Sequence, residues 1–142
     1  MSDFIYRRQF SIEWGHCDPA GIVFNGRFFE FFDRSAWLMF EAALGVAPQR
    51  LFDTYDLLGI PIVDAGATFR TTVKFGDLVD AEARISEFGR ASLTVSHRLI
   101  VGGALAVEGH EKRVWAGRHP EDSSRMKAKP IPDDVIAKFK SA

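Results

Sequence analysis

The feature that most limits how this chain folds is one long, unusually aromatic helix in a sequence whose other periodicity is mostly that of strands. Laid out at about 100° per residue, Gly26 to Leu44 sets Phe28, Phe29, Phe32, Ala36, Met39, Phe40 and Ala43 on one arc. Arg27, Glu30, Arg34 and Glu41 fall on the opposite side. Asn25 or Gly26 suits the helix start, Gly45 a left-handed stop, and Pro48 lies beyond it. Each buried Phe contributes roughly 1.5–3 kcal/mol, so this face calls for a sheet to lie across. Asp33, at the margin of the arc, reads as a boundary residue paired with an Arg or as a pocket-lining group.

The strands come from alternation. Phe4, Tyr6, Phe10, Ile12 and Trp14 share one parity across residues 4–14, with Arg8 breaking the row. A short helical or irregular piece follows over Ala47–Gly59, with Pro48 able to open its first turn, and Pro61 starts an extended segment. Ala67–Phe75 alternates cleanly. Val79 to Ile85, Leu93 to Leu99 and Leu105 to Ala116 continue the pattern, with turns at Gly76-Asp77, Gly89 and Gly102-Gly103. A bulge or a close backbone approach is expected at Gly109. Asp133–Phe139 reads as a short terminal helix. Polar outward faces argue for an antiparallel sheet. The expected fold is therefore α+β, with strands after the helix in meander order and a curved sheet wrapped over one helix.

The 142 residues, 46% hydrophobic, fit one domain over 1–142. A net charge of −1 with no long basic run argues against nucleic acid as a partner. The single cysteine, Cys17, permits no internal disulfide and fits a reducing compartment. The opening M-S-D-F-I-Y-R-R has no apolar leader core, and no apolar run reaches membrane-spanning length, so a cytoplasmic location with no membrane partner is expected. Trp37 and Leu38 flank the polar strip of the helix without an obvious cover, and an open sheet leaves edges to manage. Both point to a homodimer that pairs sheets edge to edge.

The chemistry is concentrated just before the helix, in W-G-H-C-D-P-A-G-I-V-F-N-G. The first turn of a helix has free N–H groups and the positive end of the dipole, a place for an anion or a developing oxyanion. Asp18 lies seven residues before Asn25, and a loop folding it over the helix start would set a carboxylate beside an oxyanion site, suited to attack on a carbonyl, directly or through water. The same residue also suits an Asx-turn ahead of Pro19.

Gly15-His16-Cys17-Asp18-Pro19-Ala20-Gly21-Ile22-Val23-Phe24, with the aromatic helix behind it, closely resembles the 4-hydroxybenzoyl-CoA thioesterase family of hot-dog folds. The similarity extends over nearly the whole chain, including Ile60-Pro61-Ile62-Val63, Lys74-Phe75-Gly76-Asp77 and Ala83-Arg84-Ile85. It implies a hot-dog thioesterase that cleaves an acyl-CoA, with two subunits joined into one long sheet, dimers often paired into tetramers, and the active site at the dimer interface. It further implies Asp18 as nucleophile or general base and the Asn25 backbone N–H as the oxyanion donor. Ala20 and Gly21 would shape the pocket, and Arg90 would touch the coenzyme's phosphates. His16 stands where the 4-hydroxybenzoyl enzyme has an acidic residue, and Phe24-Asn25-Gly26 where it has Trp-Tyr-Pro. Those departures fall on the acyl pocket, so His16 and Phe24 bear on which acyl group fits.

Other polar residues read more plainly. His16 supports the loop, or activates a water or binds the acyl group. His16, Cys17 and Asp18 are consecutive and diverge, a poor metal set, and no metal is expected. Cys17 lacks a visible base for nucleophilic work. His97 reads as a packed sheet residue, and His110 and His119 as structural or surface groups. No cofactor is expected beyond the coenzyme A of the substrate. Two rival functions are an acyl-CoA binding protein without turnover and a hot-dog enoyl-CoA hydratase or dehydratase.

Overall fold

The computed structural model of the chain describes residues 4–140. Residues 1–3, part of the stretch read for a leader, and 141–142 lie outside the described residues. Among the described residues no helix is long and apolar enough to cross a membrane.

Helix α1 spans Gly26–Leu44 and ends on Gly45, in the left-handed region at φ +70°. Its buried stripe is Phe28, Phe31, Phe32, Ser35, Ala36, Met39, Phe40 and Leu44. This corrects the expected arc, because Phe29 is exposed and Phe31 buried. The stripe is rotated toward Ser35, whose hydroxyl accepts a hydrogen bond from Arg8 Nε at 2.8 Å. That bond makes a polar residue acceptable at the centre of the buried face. Helix α2 spans Pro48–Tyr55 with Pro48 in its first turn. It covers Trp37, which packs on Phe40 and Phe52, so Trp37 has a cover within its own chain.

Strand β1 runs Tyr6–Ser11, shorter than expected. Trp14, expected on its buried face, falls in a 3₁₀ turn over Trp14–His16 and is 61% exposed. Arg8, which broke the apolar row, faces inward and donates to Ser35 and, through Nη2, to the Phe31 carbonyl at 3.1 Å. Strands β2 (Ile62–Phe69), β3 (Leu78–Phe88), β4 (Ser92–Val101) and β5 (Ala104–Val114) follow. Among the described residues they form a five-stranded antiparallel sheet in the order β1-β3-β4-β5-β2.

Two strand expectations are corrected here. The strand read at Ala67–Phe75 lies earlier, at Ile62–Phe69. It is also no neighbour of β3: it pairs with β5 at the far edge, so only β3-β4-β5 is a meander. Residues 70–77 keep strand-like alternation because they run extended from edge strand β2 to inner strand β3 and bond to the loop before α1. The irregularity in β5 falls where Ala106 is passed over between Leu105 and Val107, before the expected Gly109. Gly109 instead marks a close approach: a Cβ there would stand 2.4 Å from the Phe32 ring. A two-stranded sheet, β6 (Ala116–Arg118) with β7 (Met126–Ala128), and helix α3 (Asp133–Lys140) complete the fold.

The core has two lobes along α1. One joins Phe28, Phe31 and Phe32 to Ile12, Val23, Val73, Val79, Leu99 and Val107. The other joins Ala36, Met39, Phe40 and Leu44 to Leu51, Ile85, Leu93, Trp115, Val135 and Phe139. At the waist between them His97, Glu111 and Arg113 are all buried. His97 is the packed sheet histidine expected, with its ring stacked on Phe32 at 4.7 Å.

Candidate active site

D-P-A-G carries the preferences of a tight turn: Asp first, Pro with its preset φ second, Gly at a left-handed position. The chain uses it so. Gly21 has φ +79°, and its N–H donates to the Asp18 carbonyl at 2.9 Å. The Asp18 N–H donates to Ile22 O at 3.0 Å, and Cys17 bridges Val23, which makes a small hairpin. That hairpin is held on both sides. Val23 N–H donates to Val73 O at 2.8 Å, Phe75 N–H to Gly21 O at 3.0 Å, and Phe24 N–H to His16 O at 3.0 Å.

The helix start follows directly. Asn25 takes helical angles, φ −51° and ψ −37°, and its side chain caps nothing. Arg27 N–H donates to Phe24 O and Phe28 N–H to Asn25 O, closing the first turn. Among the described residues the N–H groups of Asn25 and Gly26 find no acceptor. Two free donors thus stand at the positive end of a 19-residue helix. A cavity of about 200 Å³ opens beside them, lined by Ile22, Asn25, Phe28, Phe69, Thr71 and Val73 among others. A larger concavity of about 740 Å³ lies on the outer face of the sheet, lined by Arg7, Glu82, Arg98 and Glu108 among others, away from this loop.

The other expected residues divide. Asp18 is half-buried beside Ile22, three residues before Asn25, and its Oδ1 accepts the Ala20 N–H at 2.8 Å. Its carboxylate therefore forms the Asx-turn, and among the described residues it makes no bond to the helix amides. The Ala20 and Gly21 amides are both engaged by Asp18 itself. His16 braces the loop: its Nδ1 accepts the Glu13 N–H at 2.9 Å, which leaves the proton of the neutral ring on Nε2, and its ring meets Phe31 edge-on. Phe24 is 59% exposed at the helix start. Arg90 is not brought to this loop. It sits in the β3–β4 turn, while the loop lies at the other end of β3, about 33 Å along an eleven-residue strand. There it lines a cavity of about 320 Å³ with Arg118, Lys127 and Lys129.

Sequence reading missed one polar feature, the chain of charges at the waist. His97 Nε2 and Glu111 Oε1 are 2.8 Å apart, Arg113 Nη2 reaches Glu111 Oε2 at 3.2 Å and Asp33 Oδ1 at 2.7 Å, and Arg113 Nη1 donates to Ile60 O at 2.9 Å. Burial pushes the Glu111 carboxyl up. The hydrogen bond from His97 and the Arg113 charge outweigh this and hold it below its ordinary range. Asp33 is thus the boundary residue paired with an Arg. The available signal was parity: Val107, Glu111, Arg113 and Trp115 fall on one side of β5 and its extension, with charges between buried apolar residues.

This architecture, a sheet wrapped on one aromatic helix with a rigid acidic hairpin at the helix's positive end, is that of a hot-dog thioesterase. Residues 12–139 match the thioesterase-like superfamily. The chain is 33% identical over 134 residues to 4-hydroxybenzoyl-CoA thioesterase of Pseudomonas sp. strain CBS-3, covering 90% of this chain and 92% of that protein. Among solved structures it superposes at a TM-score of 0.84 and 29% identity on a mutant of 4-hydroxybenzoyl CoA thioesterase, Asp replaced by Asn, complexed with 4-hydroxybenzoyl CoA, covering 95% of this chain and 98% of that one. A gentisyl-coenzyme A thioesterase matches at 0.78 and 31% identity, covering 92% and 99%. The chain belongs to the thioesterase-like superfamily, in the family of 4-hydroxybenzoyl-CoA thioesterase, and the expected hot-dog fold is confirmed.

Proposed function

We propose that this chain hydrolyses an acyl-CoA thioester to the free acid and coenzyme A, with Asp18 as nucleophile or general base and the Asn25 N–H as oxyanion donor. Family membership makes it an acyl-CoA thioester hydrolase; the residue roles and the acyl group are the proposal. The observation that carries it is the N–H of Asn25, unpaired among the described residues, at the positive end of α1, three residues after the strand pairing that holds Asp18. Donors fixed in advance where charge develops cost no reorganisation in the transition state.

A second copy of the chain completes the pocket in this reading. Edge strand β2 shows Ile62, Val63 and Phe69 to solvent, and Trp14, Phe24, Phe29 and Phe75 are exposed around the helix start, so a homodimer joined through β2 covers both, and dimers pair further into a tetramer. A partner approaching the hairpin frees the Asp18 carboxylate for substrate. Arg90, with Arg118, Lys127 and Lys129, then takes the phosphates of a coenzyme seated in the neighbouring protomer's site. The cavity at Asn25, walled by Phe28 and Phe69, suits an aromatic or a short to medium acyl group. The low cysteine content fits a cytoplasmic setting.

A panel of benzoyl, hydroxybenzoyl, phenylacetyl and straight-chain acyl-CoAs with a free-thiol readout tests this. Thiol release from at least one is expected. Binding without thiol, or loss of an enoyl absorbance without thiol, would replace it with a binding protein or a hydratase. Light scattering checks the dimer at micromolar concentration, where a stable monomer would contradict it.

A further inference from the structure

Helix α1 is gripped from both flanks at one level. From β1, Arg8 donates through Nε to Ser35 Oγ and through Nη2 to Phe31 O, and its guanidinium lies 4.4 Å from the Phe10 ring centre. From β5, Arg113 donates to Asp33 and to Ile60 O, lies 5.3 Å from the Trp37 ring centre, and is backed by Glu111 and His97. Between the two arms Phe32 rests on His97 and touches the β5 backbone at Gly109. All these contacts fall within Phe31 to Trp37, about 12 Å along the helix from Asn25 to Asp33 at 1.5 Å per residue.

Apolar burial is non-directional, whereas hydrogen bonds to fixed donors favour one geometry. Buried charge is a poor source of stability, since apolar side chains of similar volume often serve as well or better. We infer that Arg8 and Arg113 are positioning residues for the reaction: together they set the rotation and axial shift of α1, and so the place where the amides opening it stand. This rests on the Asn25 oxyanion reading. A misplacement of about 1 Å in a reacting geometry costs on the order of a hundredfold in rate, so a collar roughly two to three turns away has leverage.

The test uses the full chain with Arg8→Met, Asp33→Asn and the double variant. Phe31 O is a helix carbonyl, so Arg8→Met strands no backbone group, and Asp33 is half exposed, so both variants are chosen to fold. Three quantities are read: the melting temperature, hydrogen exchange of the Arg27 and Phe28 amides against those of residues 39–44, and kcat with KM on the best acyl-CoA of the panel. The expected result is faster exchange confined to the first turn, kcat down about tenfold in each single variant and further in the double, KM little changed, and a melting temperature lowered only where Arg8→Met leaves the buried Ser35 hydroxyl without its partner. Wild-type exchange in the first turn of both variants overturns the inference, whatever kcat does. Even loosening along all of α1 with kcat per folded molecule unchanged overturns it too, as a purely structural role would give. If the wild type cleaves no thioester, the proposed function fails, and the exchange pattern still decides whether the collar sets the helix.

Discussion

At its C-terminal end α1 is enclosed by its own chain. Gly45 N–H donates to Glu41 O, α2 lies over Trp37, and Phe139 of α3 meets Phe4, Phe40 and Phe88. At its N-terminal end the same helix is unfinished. Among the described residues two amides lack acceptors, and Trp14, Phe24 and Phe75 are more than half exposed around them. Yet the loop there is no less ordered by hydrogen bonds. The contrast separates two regions of one helix: one end is packed by its own chain, and the other keeps polar groups free and apolar groups uncovered in a rigid frame.

Mutations divide accordingly. Phe139→Ala, in the enclosed end, is expected to destabilise by about 3–5 kcal/mol while kcat per folded molecule holds; a large kcat loss at full folding would break the division. Gly109→Ala acts at the waist, where the added carbon presses on Phe32, and overpacking of this kind costs about 1–3 kcal/mol. It should lower both stability and kcat, which denaturation and steady-state rates together would show.

Acid dependence sharpens the role of the waist. The Glu111 carboxyl lies below its ordinary value of about 4.5. Its contribution is therefore full above that value and lost as pH falls through the folded-state value. Wild type should lose stability on acidification below about pH 4.5, and Glu111→Gln should flatten that slope; equal slopes would remove Glu111 as the cause. The smallest effect is expected at the open end: Trp14→Ala should change stability by less than about 0.5 kcal/mol, measured by urea unfolding, while weakening self-association.

How much was legible follows the same line. The limits of α1, the Gly45 stop, Pro48 opening α2 and the terminal helix were readable because local periodicity and punctuation decide them. The order of the strands was not, because pairing β2 with β5 is a non-local choice that alternation does not record. The segment 70–77 misled for that reason: it alternates as it leaves the sheet to hold the Asp18 hairpin. The buried stripe of α1 was misjudged at Phe29 and Phe31 because Ser35 counts as polar until Arg8 is seen to satisfy it. At the candidate site the motif identified the hairpin and the helix start, while the separation of Arg90 from that loop follows from the length of β3, which the motif does not record.

Hydrolysis as proposed needs, above all, a carboxylate acting beside the amides that open α1. Asp18→Asn keeps the turn, since its side-chain oxygen still accepts the Ala20 N–H, and removes the charge. Its steady-state turnover on the best acyl-CoA, with folding checked by melting temperature, is the direct measurement. A normally folded protein with kcat lowered by several orders of magnitude is expected, whereas turnover near that of the wild type would remove Asp18 from the chemistry.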